Sequence, residues 1–204
     1  FMQSKKLKIL FLYPNLNMST LVPNAISILT ATLKRAGFNN IDLFDTTFYN
    51  TDALSKDMNR VKIGQVQPFN FDERNIKLKT TDMYEDFVNK INNFKPDIIF
   101  ASIVEDTYPI FIKFMELIKD KNIKCLAGGV FPTSAPEIVM KLDFVDYVCR
   151  GEGEGALVDL ANALENEEDP TKIGNLWVKK NNEIVARNRI RPALDINKLP
   201  VQDL

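Results

Sequence analysis

Histidine is absent from all 204 residues. That gap removes Ser-His and Cys-His nucleophilic couples, a histidine general base and any histidine metal ligand. Cysteine is scarce: Cys125 and Cys149 stand 149 − 125 = 24 positions apart and outside any C-x-x-C pair. This excludes a zinc site or iron–sulfur cluster built by the chain alone. Both cysteines lie among apolar neighbours, the setting of reduced, buried thiols in a cytoplasmic protein. Charge of one sign is lacking too, with 26 basic against 27 acidic residues. No bulk field exists to hold nucleic acid or an anionic membrane. No run approaches the ~20 apolar residues of a membrane span. The basic start Lys5-Lys6-Leu7-Lys8 precedes an apolar run too short for a signal peptide and halted by Pro14. A soluble protein with neither nucleic-acid nor membrane partners is expected.

What remains is an ordinary globular balance, 45% hydrophobic and 26% charged. A chain of this length buries roughly 70% of its unfolded surface and needs no staples. Ile9-Leu10-Phe11-Leu12-Tyr13 is a continuous apolar run, the mark of a strand covered on both faces. Further strands are expected over 41–45, 97–102, 124–127 and 145–149. Between them, helical spacing places Ala25, Ile26, Leu29, Leu33 and Ala36 on one face over 24–36, with Gly37 as the stop. Tyr84, Phe87, Val88 and Ile91 mark a second helix, ended by Pro96. Other helices are expected over 108–121, around 135–142, and after 151–155. Strands alternating with helices predict an α/β fold, a doubly wound five-stranded parallel sheet of Rossmann or flavodoxin-like type. Leu176-Trp177-Val178 and Glu183-Ile184-Val185 flank Asn181-Asn182 and predict a C-terminal β-hairpin.

The expected organisation is a Rossmann-like domain over 1–170, a hairpin over 171–191 and an extended linker over 192–204. Residues 46–80 form a long connection without strong periodicity, containing Gln67-Pro68-Phe69-Asn70-Phe71-Asp72. Such a segment is either a functional lid or a variable surface insertion, and both readings stand.

In open parallel sheets ligands bind beyond the carboxyl ends of the strands. The candidate surface is therefore the loops 13–24, 102–108, 128–134 and 150–155, rich in Asn, Ser, Thr and Gly. That rim suits a large ligand held by hydrogen bonds and close backbone approach. Gly128-Gly129 either admits a ligand where no Cβ stands or merely permits a tight turn. Glu152 and Glu154 complement a helix N-terminus and have no evident catalytic partner. The first loop, Pro14-Asn15-Leu16-Asn17-Met18-Ser19-Thr20, has neither G-x-G-x-x-G nor a Walker lysine, which disfavours dinucleotide and nucleoside-triphosphate sites. From the residues alone, the reading stops at a binding module for a bulky, mostly uncharged ligand.

Together, Ser102-Ile103-Val104 and Gly128-Gly129 resemble the S-x-L and G-G signatures of cobalamin-binding domains. The D-x-H-x-x-G loop of methionine synthase and the mutases has no counterpart. The chain is more similar to the N-terminal domains of cobalamin-dependent radical S-adenosylmethionine enzymes. Ala127-Gly128-Gly129-Val130-Phe131-Pro132-Thr133 carries that resemblance, as does Asp146-Tyr147-Val148-Cys149-Arg150-Gly151-Glu152-Gly153-Glu154.

The resemblance implies base-off cobalamin (vitamin B12) without a histidine ligand on cobalt. Its implied contacts are Pro14, Asn15, Ser102, Val104, Glu105, Asp106, Thr107, Gly128, Gly129, Val130, Phe131, Pro132, Gly151, Glu152 and Gly153. It also implies a radical barrel in the same chain after residue 204, holding a 4Fe-4S cluster and S-adenosylmethionine, most often for methyl transfer. This chain, without the C-x-x-x-C-x-x-C motif, is then inactive by itself. Two rivals share the architecture: a degenerate docking or substrate-recognition domain without corrinoid, and a flavodoxin-like module for another planar cofactor such as a flavin.

Overall fold

The computed structural model describes residues 5–16, 23–51, 57–65, 67 and 71–203. Its strands are β1 (Ile9–Tyr13), β2 (Ile41–Asp45), β3 (Ile98–Ser102), β4 (Lys124–Gly128), β5 (Tyr147–Cys149), β6 (Leu176–Lys180) and β7 (Glu183–Arg187). They form one sheet in the order β2-β1-β3-β4-β5-β6-β7. The first five are parallel, in the 2-1-3-4-5 flavodoxin-like order whose direction of winding reverses between β1 and β3. The hairpin joins this sheet: β6 runs antiparallel to β5, with Val148 opposite Trp177, and β7 follows β6. Asn181 and Asn182 both take positive φ, +52° and +62°, as its two-residue turn requires.

Period-2 alternation sorts the strand residues between two cores. Leu10, Leu12, Ile99, Cys125, Ala127 and Val148 face α3 (Met83–Phe94), α4 (Tyr108–Glu116) and α6 (Pro136–Val139). Phe87 and Phe114 lie at the centre of that layer, their ring centroids 4.8 Å apart. Ile9, Phe11, Ile98, Phe100, Leu126 and Cys149 face α1 (Asn24–Arg35) and α7 (Glu154–Glu165) on the other side. The two cysteines are therefore on opposite faces, both free and buried. Truncating a side chain as buried as Phe114 would cost about 3–5 kcal/mol.

Local chemistry sets the boundaries. Helix α1 ends as its composition predicts: Gly37 takes φ +94°, its N–H reaches the Lys34 carbonyl, and the Phe38 N–H reaches Leu33. Asp82 caps α3 by accepting the Tyr84 and Glu85 N–H groups. Two expected helices differ. The one over 108–121 stops at Glu116, and a 3-10 turn at Lys119–Lys121 ends where Asn122 takes φ +52°. The one around 135–142 begins as expected, with Pro136 at its first position, but is only α6 long. It stops at Val139 and turns follow, the Leu142 N–H reaching the Val139 carbonyl. A separate short α5 (Val130–Ser134) precedes it, because Ala135, before Pro136, leaves the helical region.

The connection over 46–80 is anchored at both ends: Thr46, Thr47, Tyr49 and Thr51 are buried, and Tyr49 forms a parallel bridge with Lys79. It includes α2 (Asp57–Lys62), while 52–56, 66 and 68–70 lie outside the described residues. The segment after β7 lies against the domain. The Asp203 N–H donates to the Ser27 carbonyl 3.2 Å away, Lys34 pairs with Asp203, and Arg35 reaches the Lys198 carbonyl.

Candidate cofactor-binding site

The carboxyl ends of β3 and β4 meet with Ser102 opposite Gly128. Just beyond, the Ile103 N–H donates to the Gly128 carbonyl at 2.8 Å, and the Phe131 N–H reaches the Ile103 carbonyl at 3.3 Å. This stitching presses the Ile103 peptide against Gly129, which takes φ +105°. A Cβ on Gly129 would lie 2.6 Å from the Ile103 oxygen, closer than any side chain tolerates. A Cβ on Gly128 would meet nothing nearer than 3.7 Å. Gly129 serves the turn, whereas a Cβ on Gly128 would fit at ordinary contact distance, beside the open space at the strand ends.

That space is a cavity of ≈ 170 Å³ between the sheet, α1 and α7. Phe11, Ile26, Leu29, Phe100, Leu126 and Leu157 supply its apolar walls; Ser102, Gly128, Gly151, Glu152 and Gly153 border it at the strand ends. Whole small-molecule ligands occupy roughly 300–1,000 Å³, so this cavity takes one ring system of a larger ligand. Cys149 contributes to the wall, where burial and the nearby Glu154 carboxyl push its thiol up to about 12. Glu154 is only 8% exposed, and its Oε2 has no hydrogen-bond partner. An apolar cavity bordered by Gly128 and an orphaned polar atom among its lining residues fit a bound group with an aromatic appendage and a hydrogen-bonding handle.

The last loop is held from two sides. The Gly151 N–H donates to the Thr133 hydroxyl at 3.0 Å, and the Asn175 side-chain amide donates to the Glu152 carbonyl at 2.7 Å. Asn175 is buried at φ +72° and also accepts the Arg191 N–H at 2.7 Å. It ties the site loop to the segment leaving the hairpin.

The residues singled out by sequence fall into three groups. Ser102, Gly128, Gly129, Gly151, Glu152 and Gly153 border the cavity. Val104, Glu105 and Asp106 are exposed on the rim, as is Val130, and Val104 and Val130 offer apolar surface at 48% and 71% exposure. Thr107 is buried and closes its own turn, exchanging 3.2 Å hydrogen bonds with the Val104 backbone. Phe131 packs on Tyr108, and Pro132 is buried beneath. Pro14 and Asn15 are buried away from the cavity; Asn15 bonds to Thr46 and Thr47. The rest of that first loop, residues 17–22, lies outside the described residues. Sequence reasoning missed Glu154 and Asn175 as site residues, and it read Phe11, Ile26, Leu29 and Leu157 only as core. A glutamate at a helix start carries no sign of its burial. Asn175 beside Gly174 offered only a turn signal.

A ring-sized cavity under the carboxyl edge of a 2-1-3-4-5 sheet, with a small-residue rim, defines a flavodoxin-like cofactor-binding domain. The B12 binding domain family matches residues 19–161, and the chain belongs to that family. Over 81 residues it is 31% identical to the anaerobic magnesium-protoporphyrin IX monomethyl ester cyclase of Synechocystis sp., covering 38% of this chain and 16% of that protein. The Rubrivivax gelatinosus enzyme of the same name is 29% identical over 90 residues, 42% of this chain and again 16% of the relative. The chain thus corresponds to a small fraction of each curated relative.

Among solved structures, the fold is similar to TsrM, a radical S-adenosylmethionine methyltransferase from Kitasatospora setae with cobalamin and a [4Fe-4S] cluster bound. The TM-score is 0.66 at 17% identity, over 94% of this chain and 30% of TsrM. It is also similar to OxsB, a cobalamin-dependent S-adenosylmethionine radical enzyme with aqua-cobalamin and S-adenosylmethionine bound. There the TM-score is 0.67 at 14% identity, over 97% of this chain and 24% of OxsB. Among the described residues, no group of three or more acidic or thiol side chains could hold a metal ion, and no helix is long and apolar enough to cross a membrane.

Proposed function

We propose that this domain binds cobalamin base-off, with the nucleotide tail in the cavity beside Gly128, and presents it to a radical S-adenosylmethionine domain of the same chain. The observation that carries the reading is the cavity itself: ring-sized, apolar-walled and open at the strand ends, in a chain of the B12-binding family without histidine. Leu29, Phe100 and Leu157 would hold the tail base, while Val104 and Val130 would face the macrocycle. The chain offers no histidine to ligate cobalt. The cofactor supplies cobalt-centred group-transfer chemistry; the residues of this domain bind it, orient it and keep water from the tail.

Methyl transfer is the reaction proposed for the whole protein, supported by the likeness to TsrM. Ring closure is the second reading, favoured by the two cyclases among its sequence relatives. The 4Fe-4S cluster and S-adenosylmethionine would belong to the partner barrel, in a cytoplasmic protein.

Reconstitution with hydroxocobalamin followed by desalting tests the binding reading. Retained corrinoid whose Co(II) form shows no axial nitrogen splitting in electron paramagnetic resonance is the expected result. Nitrogen coupling overturns the base-off pose. A protein that retains no corrinoid is instead a docking domain, and a flavin spectrum on native purification assigns it to the other planar cofactor. For the whole protein, label from the methyl group of S-adenosylmethionine entering the corrinoid fraction supports methyl transfer over ring closure.

A further inference from the structure

We propose that Glu154 recognises the nucleotide tail, its Oε2 accepting a hydrogen bond from an O–H or N–H donor on that tail. The inference rests on the cobalamin reading above and goes beyond it by assigning a specific polar contact in a mostly apolar cavity. The side chain opens α7 and forms part of the cavity wall with Leu157, Leu29 and Cys149. It is more than nine-tenths buried, and Oε2 is the one buried side-chain polar atom among the described residues without a hydrogen-bond partner. The helix dipole favours a carboxyl group at this end, yet it supplies no partner for Oε2. An unpaired buried acceptor is costly to keep, and removing it in favour of an apolar group of similar shape is commonly neutral or stabilising. A glutamate held here at the expense of apo stability is accounted for when a ligand completes its bonding.

Beyond the linker amide that cobinamide retains, two parts of a corrinoid tail carry such a donor: the ribose hydroxyls, present with any base, and an amino group, present on adenine but not on dimethylbenzimidazole. The chemistry is shared and the source is separable. The test compares the 204-residue chain with Glu154→Met, which keeps the side-chain length and removes the acceptor; Glu154→Leu serves the same purpose if the methionine variant misfolds. Dissociation constants are measured by absorbance for cobalamin, an adenine-tailed corrinoid and tail-less cobinamide, and urea unfolding of the apo proteins is recorded beside them.

The expected result is a loss of about tenfold or more for a tailed corrinoid, the weight of one hydrogen bond to a charged or strongly polar acceptor. Cobinamide affinity should not change, and the apo urea midpoint should stay level or rise. Equal losses for both tailed corrinoids assign the donor to the ribose; a loss confined to the adenine form assigns it to the base. If both tailed corrinoids bind the variant as tightly as wild type, Glu154 does not read the tail, although the cobalamin reading survives. If wild type binds none of the three, the cobalamin reading fails and this inference fails with it.

Discussion

The peptide of Ile103 occupies the space that a side chain on Gly129 would need, with the carbonyl oxygen 2.6 Å from an ideal Cβ position. Gly128, its neighbour, borders the cavity, and a Cβ there would come no nearer than 3.7 Å to any other side chain or peptide. The paired glycines therefore do different work, which separates two substitutions that look equivalent in sequence. Gly129→Ala combines a positive φ with a backbone collision and should destabilise the chain by about 2–4 kcal/mol, read from urea unfolding. Gly128→Val should unfold near the wild-type midpoint while losing corrinoid retention, because its methyl groups enter the cavity. Normal retention by Gly128→Val would remove that glycine from the site.

Asn175 supports a second prediction. Its side chain donates to the Glu152 carbonyl and accepts from the Arg191 N–H, while its backbone holds φ +72°. Asn175→Gly keeps the backbone conformation and deletes both bonds, so its cost isolates them: about 2–3 kcal/mol for two part-buried hydrogen bonds whose partners are stranded. Asn175→Ala should cost more, because alanine also resists positive φ. Arg191→Ala is the control. It removes a part-exposed 2.6 Å pair with Asp159 and should cost less than about 1 kcal/mol. An Arg191→Ala more damaging than Asn175→Gly would place the hold on the C-terminal segment in the ion pair.

The frame was legible because its signals are local. The apolar run of β1, the stop at Gly37 and the Asn181-Asn182 turn each act within a few residues, and each appears where expected. The loops after β3, β4 and β5 that border the cavity were legible from the α/β rule alone, whereas the loop after β1, equally expected, brings neither Pro14 nor Asn15 to it. The internal division of the bordering loops was not legible. Which member of Gly128-Gly129 has space for a side chain depends on a hydrogen bond from Ile103, 25 residues earlier by 128 − 103. Glu154 is the first residue of α7, which packs across α1, a contact between segments more than a hundred residues apart. Phe11, Leu29 and Leu157 have the composition of core because a cavity wall and a core are chemically alike.

The buried thiol at Cys149 gives a pH dependence with a definite sign. Its ordinary value is 9.0 and burial raises it to about 12, so between those limits the folded chain keeps a proton that the unfolded chain has released. The stability linked to this thiol is fully present below pH 9 and is lost as pH rises toward 12. Cys125, Tyr147 and Tyr49 shift in the same direction, whereas Lys179, lowered by burial, works the opposite way. Comparing wild type with Cys149→Ala cancels these shared contributions. The wild-type slope should be steeper by about 1.4 kcal/mol per pH unit across the window. Parallel slopes would mean that the thiol reaches water in the folded state. Thiol reagents at pH 8 should correspondingly label neither cysteine until urea unfolds the chain.

Ligand-linked stability separates the site from the scaffold. A ligand that binds only the folded chain stabilises it by about 2.7 kcal/mol at one hundred times its dissociation constant. Hydroxocobalamin at that excess should raise the urea midpoint of wild type and of Arg191→Ala by the same increment, because Arg191 lies outside the cavity wall. Gly128→Val should show no increment while matching the wild-type midpoint without ligand. Asn175→Gly should begin lower and gain less, since the loop it frees contributes Gly151, Glu152 and Gly153 to the cavity border. A full increment in Gly128→Val would place the corrinoid elsewhere on the protein, and the polar groove at the β2 edge, lined by Asp42, Tyr49, Lys79 and Asp86, would be the next surface to probe.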